Sequence, residues 1–185
     1  MRRLRMLFFL IFVVAGLALY TTGGAQQQEG KLSGSMQRVG TFDSRALAMA
    51  YYRSAEFMQY MQELRAEHEK AKAAGDEKLV KELEVKGPAQ QELIHKQGFS
   101  TWPVDNILEK IKGKIPEIAE QAEVDVIVCK WDIVYQRSGV EFIDVTDFMV
   151  KPFNPDEATL KIIKEIQMQD PVPLDELIEA LKKGE

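Results

Sequence analysis

Few residues in this chain have the type and spacing that chemistry requires. Asp144 and Asp147 stand three apart and could pair for general acid–base work, one carboxyl giving a proton while the other takes one. Just after a strand-like run, the same spacing suits helix capping, because carboxylates accept the orphan N–H groups of a first turn. Capping is the reading adopted. The two histidines, His68 and His95, have no Cys, His or carboxylate cluster at ligand spacing around them. His68-Glu69 opens like a zinc-protease helix but lacks the second histidine, and no Ser/His/Asp arrangement or glycine-rich phosphate loop occurs. Neither enzyme activity nor a metal or cofactor is expected. Cys129, the only cysteine, lies in the apolar run Val126–Cys129 and reads as a buried, inert thiol, with an intermolecular bridge as the alternative.

Recognition of other chains is better supported. Tyr51, Tyr52, Met58, Tyr60 and Met61 cluster within eleven positions and are the candidate binding residues, since methionines and aromatics adapt to many partners. Packing competes for some of them. Leu47, Ala50, Ser54, Phe57, Met61, Leu64, His68 and Ala71 follow 3-4 spacing, a heptad seam along one helix face. Tyr51 and Met58 flank that seam, whereas Tyr52 and Tyr60 lie off it.

These residues need an element to carry them. The sequence predicts a short strand over Arg38–Phe42, a cap at Asp43 or Ser44, and one long helix over 44–74, which would reach roughly 45 Å at 1.5 Å per residue. Gly75-Asp76 reads as the tip, with Gly ending one helix and Asp starting the next. The return helix should pair through Leu79, Val80 and Leu83, break or kink at Gly87-Pro88, resume at Leu93 and Ile94, and stop at Gly98–Pro103. Phe99 and Trp102 would wedge the base of this arm against the remainder of the domain. A helical stretch bent at Gly113 and Pro116 follows, then strands over Val124–Cys129, Ile133–Tyr135 and, after a Ser138-Gly139 turn, Val140–Val145. Residues 151–185 form a helical C-terminal extension of two amphipathic segments, Thr159–Met168 and Leu174–Leu181, around the Pro171-Val172-Pro173 elbow. The expected fold is α+β: a small β-sheet hub with a long projecting helical hairpin arm, the arm spanning about 44–98 and the strand block 124–146. Such a sheet buries little apolar surface alone, so self-association is expected, with Val39, Phe42, Val126, Val128, Ile133, Tyr135, Phe142 and Val145 as interface candidates.

At the N-terminus, Arg2, Arg3 and Arg5 precede an apolar stretch from Met6 to Leu19 and a Gly23-x-Ala25 exit, the layout of a secretory signal peptide cut after Ala25. The apolar run is shorter than the ~20 residues of a spanning helix, although an uncleaved anchor is the alternative. Residues 26–37 are polar and read as a flexible leader. The whole chain carries a net charge of −5. The arm itself is balanced in charge, and no basic cluster marks a nucleic-acid partner. Contact with a membrane surface is left open.

Over residues 38–150 the chain resembles the OmpH/Skp family of periplasmic chaperones. The likeness lies in the export signal, the strand entering a helix in VGTFDSRALAMAYY (39–52), the charged hairpin, and the closing runs VDVIV (124–128), IVY (133–135) and DVTD (144–147). It implies a trimer whose strands join into a hub and whose arms enclose a cavity. It also implies an ATP-independent holdase for unfolded outer-membrane and other exported proteins in the periplasm. A structural or scaffolding envelope protein, with arms that bind one folded partner, is the alternative. This chain departs from the family in its neutral arms, its Gly87-Pro88 and Phe99–Pro103 interruptions, and its extension beyond 150.

Overall fold

The computed structural model describes residues 37–183; the segment expected to be a signal peptide and most of the expected leader lie outside the described residues. The fold is mixed α+β and mainly helical. Strand β1 (Arg38–Phe42) leads into α1 (Ser44–Tyr52), α2 (Ala55–Ala74), α3 (Glu77–Gly98), α4 (Asp105–Ile111) and α5 (Ile115–Gln121). Strand β2 (Val126–Cys129) follows, then β3 (Glu141–Asp144), α6 (Thr146–Val150), α7 (Glu157–Gln167) and α8 (Leu174–Lys183). The sheet has the order β2-β1-β3, and both pairings are parallel, with Val39 opposite Val126 on one side and Phe142 on the other.

Side-chain alternation along the strands sorts the sheet into two faces. Gly40, Phe42, Ile127, Cys129 and Ile143 turn towards the helices, where Phe42, Leu47, Ile107, Val145, Met149 and Ile163 belong to one apolar core. Gly40 is required by this approach. A Cβ there would lie 3.1 Å from the Ile127 and Val124 side chains and 3.2 Å from that of Val145. Cys129 is half-buried on this side rather than sealed within it.

Several expected elements take a different form. The single helix over 44–74 is two helices, because Arg53 leaves helical geometry and Ser54 turns extended to cap α2, accepting from the Phe57 N–H at 3.2 Å. Conversely, α3 runs unbroken through Gly87-Pro88. Proline forfeits one backbone bond there, but Leu83 before it and Ile94 after it are each anchored in an apolar cluster. Ile133–Tyr135 forms no strand. The chain passes through a 3-10 turn at Lys130–Asp132 and then runs exposed to β3, which pairs with β1 instead. Other features agree with expectation. Gly75 closes α2 in the left-handed region at φ 70°, Asp76 caps α3 by accepting from Leu79 N–H, and Gly139 turns the chain before β3 at φ 92°.

A buried polar cluster ties these parts together at the carboxyl end of the sheet. Asp43, completely buried, caps α1 by accepting from Arg45 N–H at 3.0 Å. Its carboxylate also accepts from the Arg45 guanidinium at 2.9 Å, Lys130 Nζ at 2.8 Å and Trp131 Nε1 at 3.2 Å. Arg45 in turn donates to the carbonyls of Ile166 and Gln169, closing the end of α7. Burial alone would raise the Asp43 pKa, but the hydrogen bonds and charges of Arg45 and Lys130 outweigh it and hold the carboxyl below its ordinary range. Thr146 Oγ1 accepts from Asp43 N–H at 3.0 Å, and Asp144 accepts from Thr146 N–H at 2.8 Å, so Asp144 works as a turn cap.

Candidate functional site: the hairpin groove and the open sheet face

Helices α2 and α3 pack against each other through a small apolar cluster of their own, with Leu64, Ala71 and Leu83 buried and Leu79 and Val80 beside them. Between the helices, nearer the base, lies an open groove of about 770 Å³, floored by Met61, Leu64, Leu83, Pro88 and Ile94 and edged by Arg65 and Glu84. His68 also lines it. Its Nε2 is the buried side-chain polar atom without a hydrogen-bond partner among the described residues, 3.8 Å from a Glu84 oxygen. Apolar floor, charged rims and an unpaired ring nitrogen together suit an extended polypeptide, which offers side chains and backbone groups at once.

The five candidate binding residues divide. Met58 is 51 % exposed, and Tyr60 and Met61 are half-buried beside the core, Met61 within the groove. Tyr51 and Tyr52 are buried and unavailable to a partner, which corrects the expectation for both. Tyr51 stacks at 5.1–5.5 Å on Tyr52, Phe57 and Phe153, while Tyr52 meets Phe57 edge-on at 4.8 Å. Burial pushes both phenols above their ordinary pKa. The Tyr52 hydroxyl donates to Oε1 of Gln97, itself completely buried, whose amide donates to the Pro103 carbonyl and Asn106. The tyrosines therefore pin the hairpin base. Phe99 and Trp102, expected in that role, are instead largely exposed.

The interface candidates divide as cleanly. Phe42 and Val145 are buried in the chain's own core and cannot contact a second copy. Ile133 and Tyr135 belong to the unpaired segment and not to the sheet. Val39, Val126, Val128 and Phe142 share the sheet face opposite the core: Val126, Val39 and Phe142 stand side by side across three strands, with Val128 beside Thr41 in the next row. None of the four belongs to the core or packs against it, and Val126 is 48 % exposed.

Sequence reasoning passed over Gln97 and the Asp43–Arg45–Lys130–Trp131 cluster. The available signal was positional, since Asp43 and Lys130 each follow the last residue of a strand. Among the described residues, no group of three or more His, Cys, Asp or Glu could hold a metal ion, and no helix is long and apolar enough to cross a membrane. The chain matches no protein-family model, no curated protein and no solved structure.

Proposed function

We propose that the protein is an ATP-independent holdase that binds unfolded exported proteins along its helical hairpin and acts as a homo-oligomer, a trimer by its resemblance to the OmpH/Skp chaperones. The groove between α2 and α3 carries this reading: an open apolar floor between charged rims, on helices whose own core is only a few side chains. The open sheet face supports the assembly. Parallel sheets are almost always covered on both faces, and a second copy of this chain meeting Val39, Val126, Val128 and Phe142 would supply the missing cover. Copies joined at the sheet would set several hairpins around one space, so weak contacts would add through effective concentration. Export through a signal peptide ending at Ala25, residence in the periplasm and the absence of enzymatic chemistry belong to the same proposal. Aggregation of a denatured outer-membrane barrel protein, followed by light scattering, tests it. Suppression near equimolar oligomer is the expected result, and unchanged aggregation at molar excess overturns it.

A scaffolding role is the second reading, favoured by one feature. Val134 and Tyr135 stand 99 % and 81 % exposed in a stretch that pairs with no strand. A compact aliphatic–aromatic tip of this kind fits a pocket on a folded partner. A protein that suppresses no aggregation yet crosslinks at Tyr135 to one folded envelope protein would replace the holdase with the scaffold.

A further inference from the structure

Both tryptophans of the chain, Trp102 and Trp131, line one cavity, although the chain between them builds α4, α5 and β2. The cavity holds about 400 Å³, at the lower end of the ~300–1,000 Å³ usual for small-ligand pockets. It opens beside the carboxyl ends of β1 and β2, where parallel sheets commonly place their ligands. Trp102 is 52 % exposed, a large indole left in solvent with no burial to account for it. The polar lining includes Ser44 and Ser100, whose hydroxyls bond each other at 2.8 Å, and the exposed carboxylates of Asp105 and Asp132.

Charge narrows the ligand class. Two carboxylates on the lining oppose phosphates and carboxylates, and the ammonium groups beside the indoles are already engaged, Lys130 with Asp43 and Lys96 with Glu92. A cationic ligand is disfavoured as well, because Lys130 already sits 4.2 Å from the Trp131 ring centre and Lys96 4.9 Å from that of Trp102. An uncharged polyhydroxylated ligand meets none of these conflicts. Its C–H face can lie on the side of the Trp102 indole that Lys96 does not cover, while its hydroxyls donate to Asp105 and Asp132 and exchange hydrogen bonds with the serine pair. We infer that this cavity is a saccharide-binding site, separate from the hairpin groove and independent of the holdase reading.

Intrinsic fluorescence reports occupancy directly, since both fluorophores line the site. Titration of the full-length protein with the N-acetylglucosamine trimer and with cellotriose should give a saturable shift with Kd on the order of 1 mM. Tetramethylammonium and inorganic phosphate should give none. W102A should weaken binding about tenfold, read by saturation-transfer NMR because the substitution removes one fluorophore. D132N should weaken it about fivefold, with circular dichroism and aggregation suppression unchanged in both variants. No saturable response to either sugar at tens of millimolar, tighter binding of tetramethylammonium or phosphate, or W102A binding as the parent does would each overturn the assignment.

Discussion

Around the sheet, Leu47, Ile107, Val145 and Ile163 are completely sealed from solvent, and charged Asp43 and Arg45 are buried with every partner in place. Along the outer hairpin, the stretches of α2 after Met61 and of α3 before Ile94 rest on Leu64, Ala71 and Leu83. The sheet region can therefore hold its shape unaided, while the hairpin gains little from folding beyond its own helical bonds and a narrow seam. A surface meant to accept varied chains belongs on the second kind of structure, held in place by the first. The tyrosine–Phe57–Phe153 cluster is where one passes into the other.

The largest expected effect comes from attacking the sealed region at its polar joint. Asp43→Ala leaves the Arg45 guanidinium buried without its carboxylate and should cost about 3–5 kcal/mol in urea unfolding. Asp43→Asn is the milder version, for use if the alanine variant fails to fold. The acid behaviour follows from sign. With the folded-state pKa of Asp43 held below its unfolded value, this contribution is complete above the unfolded pKa and disappears as pH falls through the folded one. Stability of the parent should therefore drop in that acid window more steeply than stability of Asp43→Asn. Parallel curves would mean that the cluster does not distinguish the two regions.

Val128→Asp acts on the open sheet face instead. A carboxylate placed against a partner's apolar surface should weaken association by several kcal/mol in order of magnitude. The isolated subunit should keep its circular dichroism, because Val128 lies outside the core. Light scattering at micromolar concentration should read an oligomer for the parent and a monomer for the variant. A parent already monomeric under these conditions removes the assembly from the proposed function.

What the sequence disclosed follows the same division. Helix periodicity placed Leu47, Ala50, Phe57, Leu64 and Ala71 correctly on buried positions, and turn chemistry at Gly75 and Asp76 located the tip. Both signals are local. Tyr51 and Tyr52 were misplaced because α1 is buried on nearly every side, so a residue off the seam there is enclosed as fully as one on it. The β-branched character of Ile133-Val134 suggested a strand, but propensity alone does not make one, and the stretch pairs with neither outer edge of the β2-β1-β3 sheet. Parallel pairing of β1 with segments almost ninety and a hundred residues away left no local trace, and neither did the meeting of Trp102 with Trp131.

Within the hairpin, Leu83→Ala should cost about 2 kcal/mol, at the lower end for a buried leucine because its neighbours can collapse towards solvent. The location of the loss matters more than its size. Hydrogen exchange should accelerate along the outer parts of α2 and α3 while amides of β1 and α1 keep their protection. Acceleration spread evenly over the chain would mean that the hairpin and the sheet region unfold as one unit, and the contrast between them would fail.

The smallest effect is expected where function is proposed. Met58→Ser with Tyr60→Ser removes apolar surface from α2, and stability should fall by only about 1 kcal/mol, most of it from Tyr60, whose half-buried ring lies 5.9 Å from that of Phe57. Holding of a denatured barrel protein should nevertheless weaken several-fold, because each hairpin in the oligomer loses the same contact and the losses multiply. Salt separates this mechanism from an electrostatic one. The hairpin carries balanced charge, so raising ionic strength well above physiological levels should leave aggregation suppression by the parent nearly unchanged, whereas a basic tentacle would lose its grip steeply. Suppression that collapses with salt, or that survives the double substitution intact, would place client contact on the charged rims of the groove and away from Met58 and Tyr60.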